Sequence, residues 1–227
     1  PFSIGIETSL SVNGTIGEQE DFWSKGGIKK GDEILISGAI GTGVIFSAFM
    51  NGKVNPLDID NVIKEMNKSQ HEVVNYIRQL QKENPNLNVI NACTDITGFG
   101  LLGHLSEMLK STNMMQSQNH HEPILISLEL EKVKTYNGVK KLLSDGFEST
   151  FAPSNRIFLK NIYTGNNDEA GIKLIIENIK FGSLDYNIML KVLTDPQTCG
   201  PLVISCPSSF AEKLKQHGPW ERIGIAS

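Results

Sequence analysis

Three short stretches of this sequence set a tight polar or glycine turn against a run of apolar residues, and each carries residue types that can do chemistry. The richest is Val89-Ile90-Asn91-Ala92-Cys93-Thr94-Asp95-Ile96-Thr97-Gly98-Phe99-Gly100-Leu101-Leu102-Gly103-His104. A carboxylate follows an apolar strand and precedes a glycine-rich helix start, the edge at which ligands gather in open α/β sheets. Asp95 is a candidate metal ligand: magnesium usually takes one or two carboxylates and fills its other positions with water and substrate phosphates. The same aspartate could equally cap the helix that follows. Thr97 and Gly98, at that helix start, are candidate nucleotide-binding residues through free backbone N–H groups.

The second stretch is Ile34-Leu35-Ile36-Ser37-Gly38-Ala39-Ile40-Gly41-Thr42-Gly43. A helix beginning near Thr42 offers N–H donors and the positive end of a dipole, and glycines let backbone approach a phosphate. Gly41, Thr42 and Gly43 are therefore candidate nucleotide-binding residues, with a plain strand-to-helix turn as the other reading. The third stretch is Leu193-Thr194-Asp195-Pro196-Gln197-Thr198-Cys199-Gly200-Pro201-Leu202-Val203-Ile204. Asp-Pro initiates turns, and Asp195 is expected to accept backbone hydrogen bonds in a local Asx turn.

Cys93 and Cys199 fall in these turns, but neither has a base beside it in sequence, so no catalytic residue is assigned. His104 has no second ligand at metal spacing and reads as a packed or hydrogen-bonded side chain. His120 and His121 lie in a polar stretch and read as surface residues.

The elements that must position these turns alternate along the chain. Phe2 to Val12 reads as a strand closed by Asn13-Gly14, and residues 15–30 as a linker. Glu33–Ser37 is an expected strand and Val44–Met50 an expected helix. Asp58–Lys82 shows apolar residues mostly three and four apart, which predicts one long helix closed by Pro85. Strands are expected over 87–92, 123–130, 172–179, 201–206 and 222–226, with helices over 100–109, 131–144, 155–163, 184–193 and 208–216. Ser111–Glu122 and 145–154 read as loops. This alternation without a repeating unit indicates α+β or α/β layering.

The 227 residues suffice for one large domain, and 39% apolar with 20% charged residues suits a globular protein. A net charge of -4 gives no field for nucleic acid. No run of 18 apolar residues marks a membrane span. Three cysteines without paired spacing argue against a disulfide framework and for a reducing, cytoplasmic setting. The sequence opens on Pro1-Phe2-Ser3 with neither Met nor signal-peptide pattern, so it is expected to begin inside a longer protein.

Taken together, Thr94-Asp95-Ile96-Thr97-Gly98-Phe99-Gly100-Leu101-Leu102-Gly103-His104 closely resembles the Thr-Asp-x-Thr-Gly-Phe-Gly signature of selenophosphate synthetases (selenide, water dikinases). Asp195-Pro196-Gln197-Thr198-Cys199-Gly200-Pro201-Leu202 is similar to the family's second signature, Gly41-Thr42-Gly43-Val44 to its Leu-Gly-x-Gly-Val turn, and Met66-Asn67 to a pair carried on its helices. The resemblance implies an α+β fold. It is a three-layer α/β/α domain like the carboxy-terminal domain of aminoimidazole ribonucleotide synthetase, here residues 31–227, preceded by the last strand of an amino-terminal ATP-binding domain, residues 1–14. It also implies synthesis of selenophosphate from ATP, selenide and water with release of AMP and phosphate, dependence on Mg2+, and a homodimer. Asp95 resembles a metal-binding aspartate of that family.

Departures from the pattern are informative. The family's nucleophile, its lysine and its amino-terminal aspartates have no counterpart, and Gly38-Ala39 replaces its Lys-Pro. Cys199-Gly200-Pro201 stands where the family has Ser-Gly-Gly, and Pro201 removes a backbone donor. The alternative is a non-catalytic binding or regulatory module, with fusion to an oxidoreductase a further context. The Thr-Gly-Phe-Gly run and Asp-Pro-Gln-Thr argue against a sister hydrogenase-maturation protein or thiamine-phosphate kinase.

Overall fold

Short apolar strands separated by amphipathic helices dictate a sheet with helices laid on it, and a computed structural model shows how. It describes residues 11, 13–15, 22–85, 89–118, 121–163, 171–175 and 184–227. The expected strand at Phe2–Val12, apart from Ser11, and residues 16–21 of the expected linker lie outside the described residues, as does His120. The strands are β1 (Glu33–Ile36), β2 (Ala92–Asp95), β3 (Ile126–Glu129), β4 (Ile172–Ile175), β5 (Leu202–Cys206) and β6 (Glu221–Ala226). The helices are α1 (Thr42–Met50), α2 (Pro56–Met66), α3 (His71–Glu83), α4 (Gly100–Gln118), α5 (Val139–Ser144), α6 (Ala152–Tyr163), α7 (Leu184–Leu193) and α8 (Ser208–Gln216). A short 3-10 turn spans Leu130–Lys132.

The strands form one sheet in the order β2-β5-β1-β6-β3-β4, antiparallel throughout except for the parallel pair β3–β4. Period-two alternation sorts the side chains onto two faces. Ile34, Ile36, Ala92, Ile126, Leu128, Val203 and Ile223 enter the larger core with buried residues of α1, α2, α4, α5 and α7. Leu35, Ile204 and Cys206 point the other way, onto Ile77 and Leu80 of α3, Phe210 and Leu214 of α8, and Trp220. The result is the expected three-layer α/β/α arrangement.

Two element boundaries differ from expectation. The pattern over 58–82 is two helices, because Asn67 forms the C-cap of α2 and the chain turns through Lys68–Gln70, where the Ser69 hydroxyl accepts the His71 N–H. Helix α4 runs to Gln118 through a stretch whose polarity suggested a loop. Its extension is held by tertiary contact: buried Thr112 donates its hydroxyl to the Met108 carbonyl and accepts from the N–H groups of Gly27 and Ile28. Smaller differences follow the same logic: α6 begins at Ala152, inside an expected loop, and 131–144 contains only the 3-10 turn and α5.

A buried polar knot fastens the strand centre. Asp32, 3% exposed, accepts from the Lys29 N–H at 2.9 Å, from Asn91 Nδ2 at 2.9 and 3.0 Å, and from the Ser205 hydroxyl at 2.5 Å. Replacing this acceptor strands three donors, two of them on buried side chains. Asp32→Ala should therefore lower unfolding free energy by about 3 kcal/mol, read as a fall in the urea midpoint at unchanged m-value.

Candidate functional site

The sheet order brings the three turns together. β5 pairs antiparallel with both β1 and β2, with Ile36 opposite Val203 and Asp95 opposite Leu202. The ends of β1 and β2 and the beginning of β5 therefore share one edge of the sheet, and the turns at 37–43, 96–100 and 194–201 meet there.

At their meeting point lies the buried amide of Gln197. Its Oε1 accepts the N–H of Gly41 at 2.8 Å, the N–H of Thr42 at 3.1 Å and the Thr42 hydroxyl at 3.2 Å. Its Nε2 donates to the Asp195 carbonyl and to Asp195 Oδ2, and its own N–H reaches the Thr97 carbonyl at 3.0 Å. Asp195 is fully buried, and its Oδ2 accepts the Val44 N–H at 3.3 Å. The local Asx turn expected of Asp195 is thus replaced by a long-range hold on the start of α1. Gly43 is glycine for the same reason: a Cβ there would stand 2.5 Å from Asp195 Oδ1 and from the Pro196 carbonyl. The N–H groups that Gly41 and Thr42 could offer a phosphate, like that of Val44, are occupied by this loop. An anion at this helix start has to displace Gln197 and the Asp195 carboxylate.

Asp95 has the opposite surroundings. It is exposed and lines a cleft of about 510 Å³ together with Glu65, Lys68, Cys93, Cys199 and Gly200. Helix α4 starts at Gly100, five residues on, which is too far for Asp95 to be its N-cap. Gly200 must lack a side chain here, since a Cβ would fall 2.1 Å from the Ile96 carbonyl. Cys199 beside it is exposed and adopts a left-handed φ of 50°, a conformation that side-chain-bearing residues rarely take. Lys68 and Glu65 pair at 2.6 Å across the turn that ends α2. Sequence reasoning missed both because it ran a single helix through them; the Asn67-Lys68-Ser69 break was the available signal.

Thr97 and Gly98 are exposed on the same turn. The Thr97 hydroxyl contacts His104 Nε2 at 3.0 Å, and the Gly98 carbonyl accepts from Asn155 Nδ2 at 2.9 Å. His104 is 5% exposed, packed and hydrogen-bonded as expected, and His121 is on the surface. Among the described residues no group of three or more His, Cys, Asp or Glu is placed to hold a metal ion. Asp95 fits a role as one exposed carboxylate of an ion whose other ligands come from water and phosphate, which is how Mg2+ is usually held. Burial, with the Asp95 charge added, pushes the Cys93 thiol up to about 12, so it stays protonated and unreactive at neutral pH.

The fold and this edge have counterparts among known proteins. The model of the family "AIR synthase related protein, C-terminal domain" matches residues 29–226. The chain belongs to this family. Curated relatives are selenide, water dikinases: that of Treponema denticola is 30% identical over 209 residues, covering 90% of this chain and 48% of the relative. That of Clostridioides difficile is 29% identical over 205 residues, covering 90% and 49%. The chain thus spans about half the length of the curated relatives it matches. In fold it is similar to thiamine monophosphate kinase from Aquifex aeolicus (TM-score 0.51, 14% identity, 93% of this chain and 52% of that one). The enzyme from Stenotrophomonas maltophilia gives a TM-score of 0.52 at 11% identity over 90% and 50%. For this AIR synthase related domain, no helix among the described residues is long and apolar enough to cross a membrane.

Two measurements check these environments. Burial, first of all, raises the Asp195 carboxyl to about 7 despite the hydrogen bonds from Val44 and Gln197 that oppose it. A carboxyl raised on folding binds its proton more tightly folded than unfolded. Its contribution is full below its ordinary value and is lost as pH climbs to the folded one. Asp195→Asn should flatten the decline in stability between about pH 4 and pH 7 by on the order of 4 kcal/mol, read from urea unfolding at each pH. Alkylation by iodoacetamide at pH 7.5, followed by mass spectrometry, should modify exposed Cys199 first. Cys93 and buried Cys206, whose thiols burial raises, should react at least about tenfold more slowly.

Proposed function

We propose that this chain is the carboxy-terminal half of a selenide, water dikinase, which converts ATP, selenide and water into selenophosphate, AMP and orthophosphate. The observation that carries this reading is the exposed Asp95 at the end of β2, set in a cleft within the Thr94–Gly100 signature. The dikinase relatives support it at the level of family. Phosphoryl transfer asks the protein mainly to position reactants and balance charge. In that setting Asp95 contributes one oxygen to Mg2+, and the turn at Thr97 and Gly98 faces the nucleotide. When bound, magnesium neutralises charge developing on the phosphate oxygens. The division into residues 1–14 of an ATP-binding domain, a linker at 15–30 and this domain belongs to the same proposal. So do homodimerisation and a cytoplasmic location; a nucleotide role for Gly41, Thr42 and Gly43 would in addition require Gln197 and Asp195 to release the helix start they hold.

A second reading has its own support. The α1 start is closed by Gln197 and Asp195, Gly38-Ala39 replaces a Lys-Pro, and Pro201 lacks an N–H. The changes at Gly38-Ala39 and Pro201 suit a non-catalytic module that keeps the fold, whereas the clasp by Asp195 and Gln197 lies in the segment similar to the dikinase signature and is neutral between the two readings.

Selenide-dependent release of AMP from ATP by the full-length protein separates the two. The dikinase reading expects turnover, lowered at least about tenfold, near 1.4 kcal/mol of barrier, in Asp95→Asn. Activity within about threefold of wild type in that variant removes Asp95 from the metal site. No selenide-dependent AMP at all favours the module.

A further inference from the structure

The His104 ring is the best-defined buried polar group at this edge that the proposed chemistry leaves unused. It is 5% exposed, and both ring nitrogens face polar side chains. Nε2 lies 3.0 Å from the Thr97 hydroxyl. Nδ1 lies 3.2 Å from Glu107 Oε2, one turn along α4, in ion-pair reach but off the line of an N–H hydrogen bond. The second contact of Glu107 is Lys25 Nζ at 2.9 Å. The Phe99 ring stands against the imidazole, with centroids 6.3 Å apart.

We propose that His104 is a positioning residue that takes the proton of the Thr97 hydroxyl into its own hydrogen bond, so that Thr97 offers only oxygen lone pairs to a ligand. Thr97 then serves as an acceptor, for a divalent cation or a water bound to one, and not as a donor to phosphate. This second half rests on the dikinase reading of the turn.

A neutral imidazole has one N–H and one bare nitrogen, and an ionised carboxylate only accepts. Burial raises Glu107, but the hydrogen bond and charge of Lys25 at 2.9 Å oppose it, and the carboxyl is held below its ordinary value. The negative charge of Glu107, 3.2 Å from Nδ1, favours the ring proton on that nitrogen by electrostatic attraction, without an aligned hydrogen bond. Nε2 is then the bare nitrogen, and its neighbour at 3.0 Å has to donate. A threonine hydroxyl has a single proton and two lone pairs. With the proton committed to His104, the exposed Thr97 oxygen can only accept. The opposite tautomer would turn Thr97 outward as a donor, suited to a phosphate oxygen.

Two measurements on the full-length protein test this. The first is 15N NMR of the protein labelled in its histidines at pH 8, with His104→Gln identifying the His104 signals. Protonated Nδ1 with bare, hydrogen-bonded Nε2 is expected; protonated Nε2 overturns the proposal. The second is Mn2+ binding, followed by EPR in the presence of a non-hydrolysable ATP analogue. Thr97→Val should weaken Mn2+ binding about fivefold, near 1 kcal/mol, and His104→Phe, which frees the hydroxyl to rotate, about threefold. Thr97→Ser, which keeps the hydroxyl, should bind Mn2+ as wild type. Wild-type Mn2+ affinity in Thr97→Val and His104→Phe sinks the proposal. If Asp95→Asn still abolishes Mn2+ binding in that case, the dikinase reading stands without it. If Asp95→Asn also changes nothing, both fall.

Discussion

One buried side-chain amide holds the working edge of this domain together. Gln197 accepts two backbone N–H groups and a hydroxyl at the start of α1, donates to Asp195, and through its own N–H grips the turn after β2. A helix start in a protein interior leaves donors that need partners, and each one stranded there costs about 1–3 kcal/mol. Here the partner comes from 155 residues away in sequence, so the turn cannot form without the long-range fold. Its glycine content is read accordingly. Gly43 is small because a carboxylate and a carbonyl fill the space where its side chain would be, and not because a ligand does.

That hold also explains why the sheet order matters to function. β5 sits between β1 and β2, so the loop entering it can reach both turns at once. The second core, on the α3 and α8 face, supports the same strands from behind through Leu35, Ile204 and Cys206. Side chains on the edge therefore move with the whole sheet. Asp95 and Leu202 are directly paired across β2 and β5, and the cleft opens beside them. A carboxylate fixed to a strand end in this way is held more firmly than one on a free loop, which suits a group that must meet a shared ion at fixed distance.

Much of the architecture was legible because local pattern and tertiary role agreed. The helices at 184–193 and 208–216 match the expected spans, and β1, β5 and β6 lie within a residue of theirs. What was not legible was decided by distant contacts. The polarity of residues 111–118 hid a helix whose buried Thr112 binds Gly27 and Ile28. The periodicity over 58–82 carried across a break because residues on both sides keep apolar faces, and the turn at Lys68–Gln70 brings Lys68 and Glu65 to the cleft. At the site, the motifs located the right turns, but no spacing rule announced that Asp195 and Gln197 would occupy the donors of a helix so remote in sequence.

The two aspartates of the signature segments show how far surroundings, and not motif, set a carboxylate's work. Asp95 and Asp195 both border a short apolar strand and a glycine turn. Around Asp195 the chain closes completely: one oxygen is shared by Val44 and Gln197, the carboxylate is shut off from water, and burial raises its pKa toward neutrality. Ionising such a group strands charge in a medium that cannot solvate it, so it favours the proton and acts as a structural clasp. Around Asp95 the chain stays open, and water can solvate the charge until an ion replaces it. An exposed carboxylate is open to a cation, whereas Asp195 would first have to give up its proton and its Val44 and Gln197 partners in a site closed to water, and that difference favours Asp95 over Asp195 for the proposed metal role.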